Sequence, residues 1–116
     1  MKAMNFHRNV IWSTSVALLL WVLPAHATAP GWTPYSTVRQ LVTTADGAIN
    51  VMLLPMLSGC TSYGGYGGTF ASVYPSHPAI KFIKADLLTA YATGTKVSLY
   101  LEDSTCRIRE IRLGEP

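Results

Sequence analysis

Two cysteines, Cys60 and Cys106, are the only ones in the chain, and the region that holds them follows a segment built like an export signal. Lys2 and Arg8 make its start basic, apolar side chains dominate residues 10–22, and Ala25-His26-Ala27 has the small-x-small form of a cleavage site. The apolar run is too short and too early to read as a stable membrane span. Residues 1–27 are therefore read as a signal peptide and residues 28–116 as the working domain, secreted or periplasmic after cleavage near Ala27. In an oxidising compartment two cysteines are expected to pair. A loop of this length closed by a disulfide is worth about 4 kcal/mol on the chain-entropy relation, which matters where only 89 of the 116 residues remain to build a core. Leu57-Ser58-Gly59-Cys60 also has the form of a lipoprotein box, which would acylate Cys60. Such a box belongs at the end of a signal, whereas here a complete signal precedes it and residues 28–50 intervene, so the disulfide is the favoured reading.

Removing residues 1–27 leaves seven Lys and Arg against six Asp and Glu. Near-neutral charge carries no electrostatic footprint for nucleic acid. One histidine, His77, and one cysteine pair do not supply a zinc site, so no metal and no cofactor are expected. Half the chain is hydrophobic (49%), too much for disorder.

Three residues, Pro30, Gly31 and Pro34, predict irregular backbone at the start of the domain. Residues 35–44 then read as a strand, Asp46-Gly47 as a two-residue hairpin turn, and residues 48–54 as a nearly continuous apolar strand buried on both faces and stopped by Pro55. Residues 58–68 are a loop rich in Gly, Ser and Tyr, and residues 69–74 a short third strand. Ser76 or His77 is expected to cap a helix with Pro78 in its first turn, Ile80, Ile83, Leu87, Ala90 and Tyr91 on the buried face, and Gly94 at its end. Residues 96–102 alternate, with Val97, Leu99 and Leu101 on one face. Residues 106–113 form the last strand, in which Ile108 and Ile111 break the period of two. A bulge near Arg109-Glu110 would return Ile111 and Leu113 to the core.

Three strands, a helix and two strands is the element order of the OB-fold, a five-stranded Greek-key barrel with a helix between its third and fourth strands. A split βαβ arrangement is the alternative, and it lacks a second helix.

Catalytic constellations are weak. Ser36, His77 and Asp86 share no motif, no nucleophile elbow surrounds a serine, and the six carboxylates all fall on turns or surfaces. An enzyme is not expected. The most unusual segment is Tyr63-Gly64-Gly65-Tyr66-Gly67-Gly68, which lacks the Lys of a phosphate loop. It reads either as a flexible loop or as a mobile pair of tyrosines that stack on a ligand such as a sugar ring. On the helix, Ala85, Leu88 and Ala92 add a second apolar stripe, with Phe82 farther round.

The run from His77-Pro78-Ala79-Ile80-Lys81 through Asp86-Leu87-Leu88-Thr89-Ala90-Tyr91-Ala92-Thr93-Gly94-Thr95-Lys96-Val97-Ser98-Leu99-Tyr100, with Trp32-Thr33 and Tyr35-Ser36 before it, resembles the B subunits of the subtilase cytotoxin and typhoid toxin class and their small secreted bacterial relatives. That resemblance implies an OB-fold, a ring of five subunits beside a secreted catalytic subunit, and recognition of cell-surface glycans, with Tyr35 and Ser36 helping to hold the sugar. A serine hydroxyl both donates and accepts, which suits a sugar hydroxyl or carboxylate. The cysteine placement and the Gly-Tyr loop depart from the toxin subunits. Tyr35, Ser36, Tyr63 and Tyr66 are thus the candidate ligand-binding residues. The competing expectation is a stand-alone periplasmic inhibitor or envelope factor with no sugar ligand.

Overall fold

The computed structural model describes residues 28–116, so the expected signal segment, residues 1–27, lies outside the described residues. The described chain forms six strands and one helix: β1 Gly31–Trp32, β2 Thr37–Thr43, β3 Ile49–Leu54, β4 Phe70–Val73, α1 Ile80–Thr93, β5 Val97–Leu101 and β6 Ile108–Leu113. Two antiparallel three-stranded sheets result, ordered β1-β5-β6 and β2-β3-β4. The mostly β architecture with one helix is as the sequence predicts, while the strand count is corrected from five to six in two sheets. The extra strand comes from the segment expected to be irregular: Gly31 and Trp32 pair with Leu101 and Tyr100. Pro34, which has no N–H to give a ladder, then separates that short strand from β2.

The sheets are joined at two places. Ser36, just before β2, exchanges two backbone hydrogen bonds of 2.8 Å with Val97 of β5. Ser72 of β4 pairs in parallel with Arg107, just before β6, and its N–H donates to the Cys106 carbonyl at 3.0 Å. The pairing therefore runs from β4 through β3, β2, β5 and β6 and returns to β4. Inside lie Val51 and Leu53 of β3, Val97, Leu99 and Leu101 of β5, Ile108 of β6 and Leu87 of the helix, all without solvent contact.

The helix packs across β2 and β6 through Ile83, Leu87 and Ala90. Two expectations at its ends need revision. It begins at Ile80 behind Ala79, which gives no side-chain cap. His77 serves the preceding turn instead, its Nδ1 accepting from the Ala79 N–H at 3.0 Å. Tyr91, expected in the core, is 56% exposed, because Ala90 takes the inward position and leaves Tyr91 at the edge of the stripe. Gly94 ends the helix with φ +74° and donates to the Ala90 carbonyl, a conformation that glycine adopts without steric cost.

The first hairpin has a three-residue loop, Ala45, Asp46 and Gly47, not the expected two. Thr44 closes it by donating to Ala48 O at 2.9 Å, and Gly47 at φ +94° takes the left-handed position that such loops require. In the last hairpin Tyr100 faces Glu110 and Leu101 faces Ile108, so Arg109 is the extra residue of a bulge. Ile108 is buried and Ile111 packs against the core, but Leu113, expected with them, is 40% exposed because the strand end runs past the core.

Cys60 and Cys106 are disulfide-bonded, joining the loop before β4 to the turn before β6. The double variant Cys60→Ala/Cys106→Ala is expected to lose about 4 kcal/mol in urea unfolding, and a loss below about 1 kcal/mol would show that the cross-link does not restrict the unfolded chain. Leu87→Ala, which empties a fully buried site, is expected to cost about 2–5 kcal/mol in the same measurement.

Candidate functional site

Tyr35 and Ser36 lie where the chain passes from one sheet to the other. The backbone of Ser36 is held by Val97, the residue is buried, and its Oγ donates to the Pro34 carbonyl at 2.8 Å. Tyr35 beside it is half-buried. Tyr63 and Tyr66 sit elsewhere, on the loop that folds over the outer face of the β2-β3-β4 sheet. Tyr63 reaches Asp46, at the opposite end of β2 from Ser36. Seven strand residues at about 3.3 Å each separate those ends by roughly 23 Å. The four candidate residues thus do not converge on one point.

The Gly-Tyr loop is fastened, in contrast to the flexibility its glycines predict. Asn50 and Ser72 face each other on β3 and β4 and are completely buried under it. The Ser72 hydroxyl donates to Asn50 Oδ1 and accepts from the Tyr63 N–H at 2.8 Å, while Asn50 Nδ2 donates to the Tyr63 carbonyl at 2.9 Å. The polar side-chain atoms of Asn50 and Ser72 thus find partners in the loop or in each other, as burial demands. Ser62 Oγ accepts from the Gly67 N–H, which folds the loop on itself. The Tyr63 ring packs edge-on to Tyr74, with centroids 5.2 Å apart, and its hydroxyl donates to Asp46 at 2.5 Å. Tyr66 packs edge-on to Phe70 but keeps 46% of its surface in solvent.

Asp46 ties the loop to the hairpin. Hydrogen bonds from Thr44 and then Tyr63 hold its carboxyl below the usual carboxylate range, and the bond to Asp46 in turn raises the Tyr63 hydroxyl above its ordinary value. These partners stabilise the charged carboxylate.

A further aromatic cluster occupies the outer face of the other sheet. Trp32 and Tyr100 are a directly opposed cross-strand pair with ring centroids 5.3 Å apart, edge to face. The Arg112 guanidinium stands 4.1 Å over the Trp32 ring. Trp32 is nonetheless 38% exposed, so it is a surface ring on a rigid strand and not a core residue. Sequence reasoning placed Tyr100 on the outer face but had no signal for its partner, because a strand of two residues carries no periodicity. The paired counterpart is Arg107, 4.1 Å over the Tyr74 ring.

Among the described residues no helix is long and apolar enough to cross a membrane. No family model matches the sequence, and no curated protein matches it.

Because the Asp46 carboxyl is depressed in the folded state, its hold on the loop is present above the unfolded carboxylate range and is lost as pH falls through the folded value. The protection factors of the amides at residues 63–67, with the intrinsic pH dependence of exchange divided out, are expected to fall on acidification through that window and to stay constant across it in Asp46→Ala; an unchanged acid response in the variant would assign it to another group. Asn50→Ala, which strands the buried Ser72 hydroxyl and the Tyr63 carbonyl, is expected to destabilise by about 1–3 kcal/mol, measured by thermal unfolding.

Proposed function

We propose that this protein is a non-catalytic binding module, secreted or periplasmic after cleavage near Ala27, that is built as an OB-fold barrel and recognises cell-surface glycans as a ring of subunits. The barrel reading is supported by the closed circuit of pairing. A first strand is broken at Pro34 and serves both sheets, the third and last strands of the circuit meet in parallel at Ser72 and Arg107, and the helix lies between β4 and β5. Counting β1 and β2 as one kinked strand restores the five strands of that fold.

The observation that carries the binding reading is the set of solvent-open aromatic rings fixed by neighbours before any ligand arrives. Trp32 is held by Tyr100 and Arg112, and Tyr66 by Phe70. Rigid amphipathic rings give contact area at low entropic cost. Tyr66 is the most open of the candidate sugar contacts and Tyr35 is half-buried, while Ser36 and the half-buried Tyr63 would exchange their bonds to Pro34 and Asp46 for a ligand. Ring assembly, as a homopentamer beside a secreted catalytic subunit, is supported by α1. Phe82, Leu88 and Tyr91 are 76%, 49% and 56% exposed outside the core stripe of the helix, and exposed large apolar side chains on a helix suit contact with a partner.

A stand-alone periplasmic interaction protein is the second reading. It is favoured by one observation: the Ser36 and Tyr63 hydroxyls are both engaged within the fold.

Native mass spectrometry of the oxidised protein, followed by a glycan array, separates the two. A five-membered ring that dissociates in Phe82→Glu, with glycan signals that fall at least about tenfold in Trp32→Ala or Tyr66→Ala, is the expected result. A monomer without glycan signal would overturn the reading. Ser36→Ala keeps the backbone pair with Val97 and removes only the hydroxyl, so unchanged glycan binding in that variant would remove Ser36 from the site.

A further inference from the structure

The seam between β4 and β6 opens into a cleft of about 480 Å³, lined by Ser76, His77, Glu102, Arg107, Arg109 and Glu110. Its construction is specific. With strict alternation Arg109 and Glu110 would point to opposite faces of β6. Ile108 and Ile111 both turn toward the core, however, and the bulge leaves the two residues between them in solvent together. Bulges re-aim side chains in this way beside sites. A cation and an anion are thereby set side by side at the cleft wall.

The remaining charges are already committed. Arg107 Nε is paired with Glu102 at 3.5 Å, its guanidinium lies on the Tyr74 ring, and the Arg107 carbonyl accepts from the Glu102 N–H at 2.8 Å. His77 spans the mouth of the seam, Nδ1 on the Ala79 N–H and Nε2 on the Arg109 carbonyl at 2.9 Å, so the bulge backbone is fixed. Among the described residues, Arg109 and Glu110 have no ion-pair partner. A rigid frame thus carries one free guanidinium and one free carboxylate on neighbouring positions.

We propose that this cleft binds a small zwitterion, a free α-amino acid or a dipeptide, with its carboxylate on Arg109 and its ammonium on Glu110. A guanidinium matches a carboxylate with two parallel hydrogen bonds, and Arg107 keeps terminal N–H donors on the same wall. Glu110 supplies the acceptor that an ammonium needs. The cleft volume suits a small molecule, and the Pro78 ring on the opposite wall gives a side chain an apolar surface. The proposal does not rest on the glycan reading, which concerns other residues.

The test is amide-resolved NMR titration of the oxidised protein with phenylalanine and glycyl-phenylalanine, each also with its amine acetylated or its carboxylate amidated. Saturable shifts at residues 76–78 and 107–110 are expected with at least one free zwitterion. Either blocking group is expected to weaken binding by about tenfold or more. Arg109→Gln should abolish the penalty for amidation, and Glu110→Gln the penalty for acetylation. Both side chains are exposed, so both variants are expected to fold, which the unperturbed core resonances report. Preference for the single residue or the dipeptide identifies which zwitterion is taken. Absence of saturable shifts at these residues with both free zwitterions, or affinity indifferent to the blocking groups, would overturn the proposal.

Discussion

Cys106 is the joint on which the two sheets depend. It sits at φ +67°, a region where a side chain with a β-carbon is sterically penalised by about 1–2 kcal/mol. Three neighbours hold it there. Its sulfur is bonded to Cys60, its N–H donates to the Asp103 carbonyl, and its own carbonyl accepts from Ser72 of β4. The same turn also supplies the Thr105 carbonyl that accepts from Thr61, so the loop before β4 and the turn before β6 are stitched at adjacent residues. That joint and the Ser72–Arg107 bridge beside it close the circuit of pairing between β4 and β6, as Ser36 and Val97 close it between β2 and β5. A small domain has little core to spare, so a covalent link placed at the weaker seam contributes more than the same link within one sheet.

Residues whose roles are decided locally were legible in the sequence. Val97, Leu99 and Leu101 alternate and are all fully buried. Gly94 ends the helix and Gly47 turns the hairpin, each because the backbone needs a positive φ there. The anomalous spacing of Ile108 and Ile111 pointed to the bulge at Arg109. What sequence reasoning missed was decided by contacts distant in the chain. The Gly-Tyr loop is fixed by Asn50 and Ser72, whose side chains become acceptors and donors for it only once β3 and β4 pair. Trp32 gains its partners Tyr100 and Arg112 from strands 68 and 80 positions later. No local pattern encodes either. Of the candidate site, the presence of Tyr66 at the surface was legible, whereas the engagement of the Ser36 and Tyr63 hydroxyls was not.

Both strand irregularities place an arginine in solvent. Arg39 is the extra residue of β2 against β3, as Arg109 is of β6 against β5. An inserted residue cannot enter the core without shifting every later side chain to the other face. A charged side chain at the insertion resists such slippage, because burying an unpaired guanidinium is far more costly than leaving the bulge in place. The bulges therefore fix register as well as aim, and the cleft beside Arg109 exists because the register of the last hairpin is held.

The covering of the β2-β3-β4 sheet bears directly on where a ligand can reach. OB-folds bind oligosaccharides and oligonucleotides on the face of their second and third strands and the adjoining loops. On the OB reading those strands are β3 and β4, and here Asn50 and Ser72 on that face have no solvent contact because the Gly-Tyr loop lies over them. A ligand can use that face only by lifting the loop, which breaks the buried Asn50–Ser72–Tyr63 set and leaves buried polar groups without partners. Aromatic surface open without that cost lies on the loop's own outer side at Tyr66 and on the opposite sheet at Trp32. The same loop that made the sequence look adaptable thus closes the sheet face, and it leaves the exposed Tyr66, not the half-buried Tyr63, as the ring of the pair open to contact from solvent.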